Sequence, residues 1–411
     1  MSKWKTYKLG EICTDIAMGP FGSNLKVDNF IDEGVPVIKG TNLHEGGFAK
    51  ANFSYVSEEK ANSLKRCLAY PDDLVFTHRG TLGQVGIIPQ NLFPKYLVSQ
   101  SQMRLTVDKN YLLPKYLYYF FKSNLGQKEL LKNSSQVGVP AIANPTKSLK
   151  QVEITVPDLP TQTQIAQILT SLDDKIELNL QMNQTLEAMA QALFKEWFIN
   201  FNFPNFDGVL ENGLPKGWSY KTIKDLGKVV TGNTPSSKNP EYFGEVTPFV
   251  TPTDFKNFGK LIIGANRYLS VEGSNAMKTR LLPKHSIIVT CIGSDMGKVA
   301  INSIECVTNQ QINSIIPNDK SYVDYLYYDL VYKYDYLRNI ATGGSTMPII
   351  NKSRFEEIEI LIPNSNVLEN FQVLMDSFNS KIEENIRQTQ SLTQTRDTLL
   401  PKLMGGKLEI V

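Results

Sequence analysis

Histidine and cysteine are scarce in this chain of 411 residues: three histidines (His44, His78, His285) and four cysteines (Cys13, Cys67, Cys291, Cys306). No two cysteines form a Cys-x-x-Cys pair, so neither a disulfide framework nor a structural zinc is expected, and a reducing compartment fits. Three histidines supply little for hydrolytic or metal chemistry. No apolar run approaches the roughly 20 residues that a membrane span needs. Met1-Ser2-Lys3-Trp4-Lys5 lacks the apolar core of a signal peptide. Together these absences point to a cytoplasmic protein. The phosphate-cradling Gly-x-x-x-x-Gly-Lys-Ser/Thr pattern is missing as well.

What is present is a duplication. Net charge is only +2, yet it is unevenly placed. Residues 1–156 carry 19 Lys+Arg against 13 Asp+Glu, and residues 157–203 carry 2 against 6. Residues 204–362 carry 17 against 16, and residues 363–411 carry 5 against 6. A basic block beside an acidic one suits two kinds of partner, one polyanionic and one not. Self-similarity at a spacing of 206–214 residues divides the chain the same way. Trp4-Lys5-Thr6-Tyr7-Lys8-Leu9 recurs as Trp218-Ser219-Tyr220-Lys221-Thr222-Ile223, and Tyr116-Leu117-Tyr118-Tyr119 recurs unchanged as Tyr325-Leu326-Tyr327-Tyr328. Gly80-Thr81-Leu82-Gly83-Gln84-Val85 returns, with one insertion, as Gly293-Ser294-Asp295-Met296-Gly297-Lys298-Val299. The expected organisation is a domain over 1–156, a helical region over 157–203, a second domain over 204–362 and a distal helical region over 363–411.

Each repeat opens with short β-like runs and turns. Leu74-Val75-Phe76-Thr77 and Ile287-Ile288-Val289-Thr290 are apolar and β-branched, and Gly-rich turns follow them. Residues 111–122 and 322–333 carry apolar side chains at helical spacing. Each repeat then closes on a long helix. Ile165, Leu172, Asn179, Leu186 and Leu193 recur every seven residues, and Leu169, Ile176, Asn183, Ala190 and Trp197 follow each of them by four. The second copy gives Phe371, Phe378, Asn385, Leu392 and Leu399 with Met375, Ile382, Thr389, Arg396 and Leu403. This is an a/d heptad seam. A helix of about 36 residues spans roughly 54 Å at 1.5 Å per residue. Asn179 and Asn385 hold the same mid-helix seam position, where buried asparagine lowers stability but favours one register. Glu187, Asp173 and Lys175 fall on the solvent side of the seam. The fold class expected is α+β: two tandem mixed α/β domains separated by two long antiparallel coiled-coil helices, with pseudo-two-fold symmetry. The alternative is an ordinary amphipathic helix lying on its own domain.

No catalytic constellation emerges. Asn239-Pro240-Glu241-Tyr242 looks like the Asn-Pro-Pro-Tyr of adenine methyltransferases but lacks its second proline, and no Gly-rich turn accompanies it to hold S-adenosylmethionine. Asp158, Asp173 and Lys175 formally match a nuclease carboxylate–lysine pattern, but the last two lie inside the heptad helix. No catalytic or metal-ligating residues are expected. The polar loops instead carry the chemistry of nucleic-acid readout, in which Arg, Lys, Asn and Gln address base edges and hydroxyls and cations address phosphates. Gly19-Pro20-Phe21-Gly22 leads to Ser23, Asn24 and Lys26; Lys39, Thr41 and Asn42 follow a strand; His78, Arg79 and Thr81 flank a tight turn; Gln100 and Gln102 form an amide run. The second copy offers Asn233, Thr234, Ser236 and Lys238, then Thr251, Thr253 and Asp254, then Ser294 and Lys298, then Asn309, Gln310 and Gln311. Corresponding loops differ, Arg79 against Ile292 and Asn42 against Asp254, as two domains reading different sequences require.

With these stretches in view, the chain resembles the DNA-specificity subunit of Type I restriction-modification systems over nearly its whole length. Gly19-Pro20-Phe21-Gly22-Ser23-Asn24-Leu25-Lys26, Gly34-Val35-Pro36-Val37-Ile38-Lys39-Gly40-Thr41-Asn42 and Arg79-Gly80-Thr81-Leu82-Gly83 carry the resemblance in the first copy. Asp173-Asp174-Lys175-Ile176-Glu177, Leu193-Phe194-Lys195-Glu196-Trp197-Phe198 and Thr231-Gly232-Asn233-Thr234-Pro235-Ser236 extend it. The resemblance implies two target-recognition domains, each reading half of a split DNA site. It implies two conserved helical regions, central and distal, that pack antiparallel, act as a ruler and dock two modification subunits. Those subunits bring S-adenosylmethionine and methylate adenine N6. Restriction subunits, using ATP and magnesium, complete a translocating endonuclease. This chain itself would bind no cofactor. The alternative is a coiled-coil adaptor, or a stand-alone DNA-binding protein without a methyltransferase partner.

Overall fold

The structure is a computed structural model and describes residues 4–44, 47–48, 52–135, 137–236, 238–341 and 348–408. Contacts divide the chain into two units, Met1–Leu178 with Thr389–Val411, and Asn179–Gln388.

In the first unit, strand Lys5–Lys8 pairs antiparallel with Glu153–Val156, Lys5 opposite Val156, so the start and end of the sheet-bearing segment lie side by side. Between them a four-stranded antiparallel sheet runs Val85–Ile87, Leu74–Thr77, Gln102–Val107, Cys13–Met18. A second sheet runs Phe30–Ile31, Ser54–Val56, Val35–Ile38, Tyr96–Val98, Leu68–Ala69, with Val35–Ile38 and Tyr96–Val98 parallel. Leu74–Thr77 and Val35–Ile38 are buried along their whole length, which is why they read as unbroken apolar runs rather than alternating ones. Helix Pro114–Lys122 opens on a proline, whose missing N–H costs nothing in a first turn. It packs Tyr116, Leu117 and Phe121 against Leu74, Phe76 and Leu105.

The second unit repeats this plan. Ser219–Thr222 pairs antiparallel with Glu359–Ile362. The sheet Gly227–Thr231, Ile312–Pro317, Ile287–Thr290, Val299–Asn302 has the strand order of its counterpart and adds Leu261–Ile262 at the edge. The other sheet runs Phe243–Gly244, Tyr268–Leu269, Thr247–Val250, Val307–Thr308, again with one parallel pair. Both units are α+β.

Two long helices, Leu159–Phe194 and Ser365–Met404, contribute a section to each unit. Asp158 opens the first by accepting the Thr161 amide at 2.9 Å, and hydrogen bonds from Thr161 hold its carboxyl below the usual carboxylate range. Gly406, at φ +64°, closes the second. Within each unit the two sections run antiparallel. In the first, Asp173 pairs with Arg396 at 2.9 Å, while Ile165 and Leu169 share a core with Leu400, Leu403 and Met404. In the second, Asn179 donates to Gln388 at 2.9 Å and Asn385 donates to Asn183 at 2.8 Å. Ala190, Phe194 and Trp197 there pack with Phe371, Met375 and Ile382. None of the heptad seam positions is exposed.

Two details differ from the heptad reading. Asn179 and Asn385 are both buried, but each bonds a neighbour one turn away rather than the other. Glu187 and Asp173 are half-buried and engaged rather than simply facing solvent. The hydroxyls of Tyr327 and Tyr328 donate to Glu187 at 3.2 and 3.0 Å, and Tyr119 donates to Asp173 at 2.8 Å. A heptad describes a helix with one neighbour, whereas each section here also packs on a tyrosine-bearing helix of its unit. In the second unit that junction holds a buried ion pair. Lys260 and Asp324, only 3% and 1% exposed at their side chains, meet at 2.7 Å. Asn379 donates to both Asp324 oxygens at 2.9 Å, Gln372 donates to one at 2.7 Å, and Lys260 Nζ lies 2.7 Å from the Tyr328 hydroxyl.

Candidate nucleic-acid interface

Three loops of the first unit meet around a cleft of about 480 Å³: Gly19–Gly22 after one strand, His78–Gly80 after another, and Gln100 with Ser101 before a third. The approach is tight. A Cβ on Gly19 would lie 1.9 Å from the Ser99 carbonyl oxygen, so only glycine fits. Gly80, at φ +97°, makes the turn beside Arg79. His78 is buried, and its Nε2 lies 3.2 Å from the Gln100 carbonyl. Burial holds its pKa below the ordinary histidine value, so at neutral pH the ring is an uncharged donor tying two of the loops together. Arg79 is exposed, and its guanidinium has no hydrogen-bond or ion-pair partner among the described residues. Ser23, Asn24, Lys26, Thr41, Thr81 and Gln100 are exposed as well.

Other candidates are committed to the fold. Asn42 is buried, and its Oδ1 accepts the Lys39 amide at 2.9 Å. Lys39 Nζ donates to Ser54 Oγ at 2.7 Å and lies 4.5 Å above the Phe30 ring. Gln102 is buried, donates to Thr77 and accepts from Ser99. These side chains shape the loops from beneath.

The second unit has a cleft of about 390 Å³ that shares with the first the turn holding Ile292, the counterpart of Arg79, and is otherwise lined by Thr251, Thr253, Arg267, Ser294 and Gln311 among others. Gly232 repeats the close approach of Gly19: a Cβ there would lie 2.1 Å from the Asn309 carbonyl oxygen. Asp254 is fully buried and caps its loop, accepting the Thr251 amide at 2.8 Å, the Thr251 hydroxyl at 2.9 Å and the Asn266 amide at 2.7 Å. Lys298 pairs with Asp295 at 2.5 Å. Asn309 donates to Gln311 at 3.0 Å, and Thr234 bonds Gln310. Asn233, Ser236, Lys238, Thr253 and Ser294 are exposed; Ser237 lies outside the described residues. Arg267 is a lining residue that the sequence reading missed. The available signal was its isolation, because it is the only charge in residues 261–271.

Among the residues lining them, neither cleft sets a histidine or cysteine against a carboxylate. Among the described residues, no three His, Cys, Asp or Glu side chains group to hold a metal, and no helix is long and apolar enough to cross a membrane. The clefts offer hydrogen-bond donors, acceptors and one arginine each, a lining suited to binding an extended polar ligand.

A family model described as the Type I restriction modification DNA specificity domain matches residues 1–188 and 215–393. The chain is 30% identical over 472 residues to the Type I restriction enzyme HindI specificity subunit of Haemophilus influenzae, covering 99% of this chain and 100% of that relative. It is 28% identical over 430 residues to the MjaIX specificity subunit of Methanocaldococcus jannaschii, covering 99% and 94%. Among solved structures, the Type-I restriction-modification system S subunit from M. genitalium aligns with a TM-score of 0.65 at 15% identity, over 100% of this chain and 97% of that one, a likeness of fold.

Proposed function

The chain belongs to the family of Type I restriction-modification DNA specificity subunits, and from that premise we propose that it reads a bipartite, asymmetric target in double-stranded DNA and docks two adenine-N6 methyltransferase subunits. The recognition domains are residues 1–156 and 204–362, one half-site each. The helical regions, 157–203 and 363–411, serve as the ruler and docking surface that the family implies, and restriction subunits join through the modification subunits. The complex works in the cytoplasm. The chain is the non-catalytic member and binds no cofactor of its own. S-adenosylmethionine belongs to the modification subunit, and ATP with magnesium to the restriction subunit.

One observation carries this reading: a duplicated frame in which each copy opens a polar cleft beside the same turn, lined by different side chains. Arg79 of the first cleft stands where Ile292 stands in the second, and Arg267 of the second stands where the first unit has Ser54. A shared frame with divergent linings is what reading two unlike half-sites requires. The experiment is to co-express the chain with its modification subunit and map methylated adenines across a genome. The expected result is methylation within a split, asymmetric sequence. Labelled S-adenosylmethionine incubated with DNA and the purified chain alone is expected to give no methyl transfer, and transfer above background would overturn the non-catalytic assignment.

A further inference from the structure

Arg267 stands in the second cleft with its guanidinium carbon 4.5 Å from the centre of the Phe243 ring and 5.5 Å from that of Phe249. Phe249 is buried and Phe243 half-buried, while Arg267 itself is exposed. No hydrogen bond or ion pair engages its guanidinium among the described residues. The two rings, inclined at 74° to each other, therefore confine the group, and its five N–H donors stay free. Ordering a long side chain before the ligand arrives removes part of the entropy that binding would otherwise cost.

The first unit uses the same spot differently. Pro36 lies opposite Tyr55 and Val37 opposite Ser54, just as Pro248 lies opposite Tyr268 and Phe249 bonds the Arg267 carbonyl. Ser54 and Arg267 are thus equivalent, as are Lys39 and Thr251. In both units a cation sits over the equivalent ring, Phe30 or Phe243, at 4.5 Å. In the first unit it comes from Lys39 and is engaged by Ser54 at 2.7 Å. In the second it comes from the opposite strand and is unengaged. The free arginine of the first cleft is Arg79, whose counterpart is Ile292. Each cleft thus holds one uncommitted arginine, supplied from a different element.

We propose that Arg267 reads a guanine of the second half-site, donating to O6 and N7 from the major groove while Phe243 and Phe249 seat it. This assignment rests on the reading of the chain as a DNA specificity subunit. A phosphate needs only a cation, which a mobile lysine supplies; a planar fork steadied by two rings can present paired donors to the two acceptors on one edge of guanine.

The test is selection from a pool of randomised duplexes by the full chain in complex with its modification subunit, for wild type, Arg267→Ala and Arg267→Lys. Wild type is expected to select guanine at a position of the second half-site. Both variants are expected to lose that preference there by roughly 5- to 150-fold, while the first half-site stays as selected by wild type, which reports an intact fold. Arg267→Lys keeps the charge and should retain more overall affinity than Arg267→Ala. Guanine preference unchanged in both variants would overturn the assignment. So would Arg267→Ala binding more weakly to all sequences alike, with a shallower salt dependence, which marks a phosphate contact. If wild type selects no sequence at all, the reading of the chain as a specificity subunit fails, and the assignment falls with it.

Discussion

At the scale of single residues, a large energetic stake is the buried Lys260–Asp324 pair. Two charges withdrawn from water are tolerable only together, and deleting one leaves the other uncompensated. Lys260→Ala should destabilise the second unit by about 3–5 kcal/mol, read from urea unfolding. Combining Lys260→Met with Asp324→Asn, which leaves no buried net charge, should recover most of the loss; a double variant no better than the single would contradict the pairing. The thiols offer a second measurement. Burial pushes Cys13, Cys291 and Cys306 up to about 12, so at pH 8 all three are protonated and inert. Labelling of the fully buried Cys291 and Cys306 with a thiol reagent should be slow and limited by opening of the second unit; fast labelling of either in native protein would refute this. Arg79→Ala should weaken DNA binding by roughly 1–3 kcal/mol if the contact is bidentate to a base, whereas loss of a phosphate contact would flatten the salt slope by about one ion. Arg79 was legible in the sequence because a tight turn flanks it. Asn42 and Asp254 looked the same but cap their loops from below, and linear sequence does not distinguish a side chain that holds a loop from one that the loop presents. Arg267 was missed for the complementary reason: its setting depends on two rings distant in sequence.

At the scale of elements, legibility followed periodicity. The long helices announced themselves through many heptads, and Leu74–Thr77 and Ile287–Thr290 through burial on both faces. Two-residue strands such as Phe30–Ile31 and Leu261–Ile262 were invisible, because two residues have no period. The helix expected over 111–122 begins at Pro114, because Gln162 takes the Leu113 amide at 2.9 Å and Asp108 turns the chain before it. The seam itself is testable. Met375 is fully buried and Val373, two residues away, is exposed. Met375→Lys should cost about 3 kcal/mol or more by burying an unpaired charge, and Val373→Lys should stay within roughly 0.5 kcal/mol of wild type. Equal melting temperatures for the two would contradict the packing. Glu187→Lys also belongs with the costly changes, since it removes the acceptor of two buried tyrosine hydroxyls.

At the scale of the molecule, the duplication makes one end of each helix interchangeable with the other. Phe194, Trp197 and Phe198 pack in the core of the second unit; 206 residues later Leu400, Leu403 and Met404 pack in the core of the first. A fragment of residues 1–205 lacks the latter set but keeps the former, so a second copy can supply the missing cover. The fragment should form an isologous dimer by sedimentation, and with the modification subunit it should mark an inverted repeat of the first half-site. A monomer, or an asymmetric mark, would refute the pseudo-symmetric arrangement. The paired strands at the base of each domain, Lys5–Lys8 with Glu153–Val156 and Ser219–Thr222 with Glu359–Ile362, have a consequence for inheritance. Two points far apart in the gene lie side by side in the protein. Whatever coding segment falls between them can be exchanged whole by recombination, and the newcomer arrives with its ends already where its predecessor left them. A lineage can acquire a new target in one such event, with the helices passing to the next generation unchanged.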